Sequence, residues 1–510
     1  MTIRRAIERA AQHATSSGEA RRGVLPAPAL GLDLIRPAPD LGSRFAIRLE
    51  NFTARHGRIE TRPGWLEYRA IENETNPIGT VVQHGPKLFA ASPSAIWDVT
   101  ETEPVAVVED QRSNRWQTAT LAGSMIWVNG TDAPRRVDSA GAWTAGTWSP
   151  ETLPVDRFSS VSAHRGRLYF TVSGSSSIYY GGPGEISGAL TSVDLGLVHS
   201  GGPCVAIGSL SIDGGAGPDD LAVFVMADAT ALLYRGAYPG DDGWELVGRY
   251  ALPPLVGDRP LLRWGGDLLA ITREGYTSLR QYLGSGDVPV DHSRRAVSAR
   301  ITPLVQEALK QSSGSWDAVL WPDDGLLIVA TPDGSQHVLD IQSRSWSVWR
   351  GWSVRCWCVL DDGSLLFGAP GGKIAIVTSG AADGGAEFAC TARSGWDYLG
   401  TAYDKQITAV RPHLELDGAD VALRLSIDTD YQTRSRAGLQ VALRGDGRQW
   451  EDEPAWNSTP WGVGTVSSQI WSRIARRGAA LSLGIDLQIA GSSGVRWFAS
   501  DVQYDQAPGL

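Results

Sequence analysis

The residues of this chain best suited to chemistry are carboxylates in adjacent pairs: Asp219-Asp220, Asp241-Asp242, Asp323-Asp324 and Asp361-Asp362, with Glu451-Asp452-Glu453 further on. Two acids placed across a sugar ring can hydrolyse a glycosidic bond, but the separation that chemistry needs is not specified by any spacing in the sequence. A plainer role is turn geometry, because Asp ahead of Gly is ordinary turn chemistry and Gly243, Gly325 and Gly363 each follow a pair. A third role is electrostatic. Carboxylates repeated on one rim of a ring would repel DNA phosphates and keep a lumen free of adhesion. Asp219, Asp220, Asp323, Asp324, Asp361 and Asp362 are the candidates for such lumen-facing turns.

Other chemistries find less footing. The histidines (13, 56, 84, 164, 199, 292, 337, 413) never pair at ligand spacing, and Cys356-Trp357-Cys358 lacks a second pair, so no metal site is expected. Gly368 to Lys373 echoes a phosphate-binding loop, yet the glycine spacing is one short and Ile374 stands where a magnesium-binding hydroxyl belongs. It reads as a hairpin turn. Gly491-Ser492-Ser493-Gly494 lies between expected strands, without the helix a nucleophilic serine would need. Thr331-Pro332-Asp333-Gly334-Ser335 is a partial echo of an Asp-box turn. No catalytic residue and no cofactor is expected.

These residues must be carried by strands. With 59 Gly and 28 Pro in 510 residues, about 17% of the chain is turn-forming, which disfavours a helical bundle. The 42% hydrophobic and 20% charged content fits a folded chain and excludes global disorder. A net charge of −10 argues against a phosphate-gripping surface. Only Lys87, Lys310, Lys373 and Lys405 are lysines among 46 basic residues, a skew that suits bidentate arginine pairing and equally a GC-rich genome. Cys204, Cys356, Cys358 and Cys390 are too sparse for a disulfide framework and read as buried thiols of a reducing cytosol. No run of 18 apolar residues is present, so no membrane-spanning helix is expected. Met1 to Gly23 is Arg-rich and lacks the apolar stretch of a secretory signal; it reads as an arm, helical or flexible, with a transit peptide as a weaker option.

From about residue 78 to 378 a strand, turn, strand pattern recurs. Its central strands start near residues 87, 125, 167, 221, 267, 326 and 364, at intervals that bracket a four-stranded propeller blade. Small sheets packed radially bury both faces against neighbours and keep only short edges, with many of the 20 tryptophans as wedges. The expected fold is therefore all-β: an arm and lead-in segment over 1–77 ending in a short strand pair, a six- or seven-bladed β-propeller over 78–400, and a β-sandwich-like domain over 401–510. One helix is expected, with Thr302 as N-cap and Pro303 at its first position. Glu451 to Gly462 reads as an ordered loop packed on tryptophans.

Leu41 to Trp65 (LGSRFAIRLENFTARHGRIETRPGW), ending in an Arg-Pro-Gly turn, resembles the lead-in segment of tail nozzle, or tail hub, proteins of short-tailed bacteriophages. Ile301 to Leu309, Val338 to Cys358 with Gly363 to Gly372, and Trp450 to Trp461 with Val502-Gln503-Tyr504-Asp505 are similar too. The resemblance implies a non-enzymatic virion protein, assembled in the host bacterial cytoplasm as a ring, expected to be a homohexamer. It would sit below the portal and adaptor and extend the channel through which double-stranded DNA leaves during genome ejection. Its partners would be its own copies, the portal and adaptor complex and other tail proteins. The rival readings are a propeller hydrolase or lyase acting on surface polysaccharide, attached to a tail, and a carbohydrate- or protein-binding propeller without catalysis.

Overall fold

The computed structural model describes residues 20–150, 152–213, 218–283, 295–311, 315–380, 382–417, 421–432, 439–443, 465–468, 471–489 and 494–506. The expected loop Glu451 to Gly462 and the first nineteen residues of the arm lie outside them. The chain divides into two units that alternate along the sequence: a larger one, Leu66–His337 with Gly351–Val377, and a second, Met1–Trp65 with Val338–Arg350 and Thr378–Leu510. The sequence alone suggested consecutive segments broken at 77 and 400.

The larger unit is a succession of small antiparallel sheets. The first is Thr80–His84, Lys87–Ala91, Ala95–Asp98 and Val105–Glu109; the second is Gln117–Leu121, Ser124–Val128, Arg135–Val137 and Trp143–Ala145. The third is Phe158–His164, Arg167–Val172, Ser177–Tyr180 and Thr191–Asp194, and the fourth Cys204–Asp213, Pro218–Met226, Thr230–Arg235 and Glu245–Ala251. A fifth contains Leu261–Trp264, Asp267–Thr272 and Gly275–Ser278, and a sixth begins with Asp317–Trp321 and Leu326–Ala330. The seventh joins Cys356–Val359, Leu365–Gly368 and Lys373–Thr378 to Gly64–Ala70, a strand from the other end of the sequence.

Second strands such as Ser124–Val128 and Leu326–Ala330 are buried at every position. Both faces of each are covered, which is why they read as continuous apolar runs and not as alternation. The outermost strand Glu245–Ala251 instead alternates between exposed and half-buried positions. Tight hairpins close the inner pairs. Ala122-Gly123 and Arg165-Gly166 take positive φ at both positions (49° and 76°, 43° and 75°), the backbone that matches strand twist in two-residue hairpins.

The first strands of successive sheets pack on one another. The second sheet's lies on the third's, the third's on the fourth's, the fourth's on the fifth's, the fifth's on the sixth's, the sixth's on the seventh's, and the seventh's on the first's. Thr80 bridges the first and second sheets, its Oγ1 donating to Asn114 O and accepting from Trp116 N. Tryptophan fills the space between these sheets: Phe89, Trp116, Trp127 and Trp143 meet edge to face with centroids 5.0–6.4 Å apart. The expected helix is present over Thr302–Ala308 with Pro303 in its first turn, but Thr302 is not its cap. Its hydroxyl donates back to Ala299 O, because a 3-10 turn over Ala299–Ile301 runs straight into the helix and moves the start upstream.

The second unit is also made of strands. One sheet runs Phe52–Arg55, Arg58–Thr61, Val495–Gln506, Lys405–Asp417, Thr465–Ser468, with Arg21–Pro26 also paired to Val495–Gln506 and Ser472–Gly478 to Lys405–Asp417. Another runs Ser345–Trp349, Ala46–Glu50, Phe388–Ser394, Leu481–Ile489, Val421–Thr429, Leu439–Leu443. Burial alternates along Val421 to Arg424 and, with one shift, along Val495–Gln506, as expected when one face packs and the other meets water, whereas Leu425 to Asp428 are all buried. Leu423, Leu425, Ile427, Leu483, Ile485 and Leu487 supply the packed face. At Gly31 (φ 72°) an added Cβ would meet the Trp346 backbone at 2.6–2.7 Å, so only glycine fits.

Candidate functional site

The acidic pairs divide. Asp323 and Asp324 occupy the turn after Asp317–Trp321, and Asp361 and Asp362 the turn after Cys356–Val359. Trp321 Nε1 donates to Gly363 O at 2.9 Å and a Cβ on Gly363 would strike the Asp323 carboxylate, so the two turns touch. Asp361 N donates to Gln83 Oε1 of the first sheet at 2.7 Å, and Asp362 accepts from Ser364 N at 2.9 Å, which holds its carboxyl below the usual range. Asp219 and Asp220 lie within the strand Pro218–Met226. There Asp220 pairs with Ser211 and accepts its hydroxyl. The Asp219 side chain lies outside the described residues.

At the opposite ends of the inner strands is a constellation that no local motif announced. Arg115, just ahead of the second sheet, donates through Nε and Nη2 to both oxygens of Asp258 (2.8 and 2.7 Å) and through Nη1 to Arg355 O (2.8 Å). Arg259 donates to Asp317 (3.1 Å), Thr80 Oγ1 (2.5 Å) and Trp116 O (2.6 Å). Burial acts against the charge of all three shifted groups. It lowers Arg259, helped by Arg115, whereas the Asp258 pairing outweighs it at Arg115 and raises that group; at Asp258 the Arg115 bonds likewise win and lower the carboxyl. Two guanidiniums and two carboxylates thereby tie the starts of the first, second, sixth and seventh inner strands by charge-assisted bonds. A cavity of about 630 Å³ opens beside them, lined among others by Ser113, Arg115, Gln117, Asn129, Asp258 and Arg273.

A second anchor lies in the other unit, on the Arg-Pro-Gly turn. Arg62 is fully buried, and its five N–H groups go to Asp383 Oδ1 (2.8 Å) and Oδ2 (2.5 Å), Asn51 Oδ1 (2.9 Å), Pro63 O (2.8 Å) and Arg350 O (2.9 Å). Its plane covers the Phe388 ring at 3.8 Å. Around it Arg55 pairs with Asp340 at 2.7 Å, Ser345 Oγ donates to Ala54 O, and Asn51 N donates to Val348 O.

The Gly368 to Lys373 and Thr331 to Ser335 motifs are structural in their contacts, and Gly491-Ser492-Ser493 lies outside the described residues. Gly368 to Lys373 links two strands as a hairpin, Ala369 N donating to Lys373 O, while Lys373 Nζ pairs with Glu67 at 2.8 Å. Thr331, Asp333 and Ser335 knot the turn after Leu326–Ala330; burial opposes ionisation of Asp333, but the Thr331 and Ser335 hydroxyls outweigh it and lower the carboxyl. All four cysteines are free and buried; burial pushes Cys204 and Cys358 up to about 12 and Cys356 up to about 11. Among the described residues no three His, Cys, Asp or Glu side chains gather as a metal site, and no helix is long and apolar enough to cross a membrane.

No family model and no curated protein matches the chain. Among solved structures it is similar to the WD40 β-propeller domain of Doa1, with a TM-score of 0.40 and 10% identity over 62% of this chain and 97% of that one. It is also similar to Sqt1 of Saccharomyces cerevisiae, with a TM-score of 0.39 and 11% identity over 60% of this chain and 83% of that one. The protein is all-β, built on small antiparallel sheets.

Proposed function

We propose that the larger unit is a β-propeller of seven blades, that the second unit is β-sandwich-like, and that the protein is a structural subunit of a short-tailed phage tail: a nozzle without catalysis of its own. Support for the propeller reading comes from the run of inner-strand contacts from the second sheet through the seventh to the first, from Thr80 linking the first and second, and from Gly64–Ala70, which joins the seventh sheet. The observation that carries the tail reading is the Arg62 anchor. Leu41 to Trp65 and the start of Val338 to Cys358, two stretches behind the nozzle resemblance, meet there on one buried guanidinium.

In this reading six copies form a ring below the portal and adaptor, assembled in the host cytoplasm and retained in the virion tail. Other tail proteins attach to it, and double-stranded DNA passes through the ring without base contacts. The acidic turns face that passage and repel phosphate. Mass measurement of tails purified from particles tests this. Six copies per tail are expected, and a protein that stays monomeric and is absent from particles refutes it. A reducing-end assay on capsule and lipopolysaccharide is expected to show no release; release would favour the hydrolase reading.

A further inference from the structure

Among the described residues of the second unit, three tyrosines stand partly or largely exposed. Tyr398 and Tyr431 are each 37% exposed and Tyr403 is 61% exposed. The phenol oxygens of Tyr398 and Tyr431 share a hydrogen bond, and Trp396, buried beneath, packs against Tyr431 with centroids 4.9 Å apart at 54°. The carboxylates of Asp430 and exposed Asp40 act on the Tyr431 phenol.

The backbone that presents these rings is held in costly conformations. Asp430 and Tyr431 are consecutive left-handed residues (φ 52° and 62°), and Leu399 is a third (φ 48°). Each is clamped. Asp430 Oδ1 accepts from Ala479 N and Ala480 N at 2.9 and 3.1 Å, and Asp397 accepts from Leu399 N at 2.7 Å and Ser43 Oγ at 2.6 Å. Lys405 has no exposed surface and spends its three N–H groups on Thr401 O, Tyr403 O and Ala479 O at 2.6, 3.0 and 3.0 Å. A buried ammonium given wholly to loop carbonyls fixes the loop that carries Tyr398 and Tyr403. Strain held this firmly at an exposed aromatic cluster marks a preorganised binding surface.

We propose that the ledge of Tyr398 and Tyr431 binds the sugar units of a neutral surface glycan. Ring faces carry negative charge and attract the polarised C–H face of a pyranose, while Asp430, Asp40 and the free lone pairs of the phenols accept its hydroxyls. The two carboxylates repel acidic sugars. A point cation is held best by several faces closing around it, whereas Tyr398 and Tyr431 meet tip to tip through their hydroxyls.

The test uses the full chain in biolayer interferometry against immobilised hexaoses of glucose, mannose, galactose and N-acetylglucosamine, with hexagalacturonate and hexa-arginine as comparators. At least one neutral hexaose is expected to bind with a Kd below about 10 mM. Tyr398→Ala with Tyr431→Ala should weaken it at least about tenfold, and the paired Phe variants, which keep the rings, by only about two- to threefold. Should the alanine pair fail to fold, Tyr431→Asn keeps a residue suited to positive φ and carries the same expectation. No neutral hexaose bound, binding indifferent to loss of the rings, or tighter binding of hexagalacturonate or hexa-arginine each overturns the proposal. Sixfold copies in tails would stand or fall separately, since none of these residues enters that reading.

Discussion

Asp383→Asn isolates what the Arg62 anchor contributes. The substitution keeps the shape of the acceptor and deletes its charge, leaving a guanidinium with no exposed surface opposite a neutral amide. Removing one partner of such a buried pair costs about 3–5 kcal/mol. Arg62→Met with Asp383→Asn takes both charges away, but it also leaves Pro63 O and Arg350 O without their donor, at about 1–3 kcal/mol each if they stay dry. Asn51 is less affected, because its Oδ1 still accepts from Arg350 N at 2.7 Å. The double variant should therefore recover part of the loss, with a coupling of about 1–3 kcal/mol.

A chain of two units need not unfold in one step, so a local readout is preferable to a single melting curve. Hydrogen exchange by mass spectrometry on Phe388–Ser394 and Leu481–Ile489, adjacent strands of the same sheet, reports opening around Arg62 directly. Asp383→Asn should speed exchange there about a hundredfold to several thousandfold, at about tenfold per 1.4 kcal/mol. Acceleration below about threefold, or a double variant whose loss equals the sum of the single ones, would refute the view that this ion pair organises the lead-in segment.

Four further outcomes follow from the contacts. Gly31→Ala should destabilise the second unit by about 1–3 kcal/mol in urea titration, since the new Cβ meets backbone and the φ of 72° is unfavourable to it. The Asp258 carboxyl is lowered in the folded state, so its contribution is full above the unfolded value near 4 and is lost as pH falls through the folded value; Asp258→Asn should flatten the fall of the thermal midpoint below about pH 4 and leave its shape above pH 5 unchanged. A thiol reagent at pH 8 should label none of the four cysteines in the native protein within minutes and all four in guanidinium, because burial keeps the thiols protonated. Asp323→Arg with Asp324→Arg should slow genome ejection from particles, and an unchanged rate would confine those residues to turn geometry.

The parts of the fold legible in the sequence are those set by local period. The central strands Lys87–Ala91, Arg167–Val172, Asp267–Thr272 and Leu326–Ala330 begin at the expected residues, because a strand covered on both faces is an apolar run ended by Gly or Asp. The outermost strand Thr191–Asp194 is mostly exposed and carries no such run, so local period does not mark it. Asp219 and Asp220 read as a turn, yet Asp220 sits in a strand where the Ser211 hydroxyl satisfies it, a partner nine residues away that composition cannot indicate.

Long-range pairing is where the local signal ends. Arg21–Pro26 lies beside Val495–Gln506, and Gly64–Ala70 beside Lys373–Thr378, in registers set by which faces bury and not by any motif near either strand. The Arg115 and Arg259 cluster is of the same kind, since its members come from five separate loops and strand starts. Yet the Arg skew was visible from the start, and the structure gives it a physical use. Arg62 and Arg115 each present the planar fork to both oxygens of one carboxylate while other N–H groups reach backbone carbonyls from distant segments. A lysine has the charge but not the fork, so Arg62→Lys should recover little of what Arg62→Met loses in the same exchange experiment. Full recovery by lysine would mean that charge alone holds the anchor and that the arginine-rich composition has no bearing on how these segments are joined.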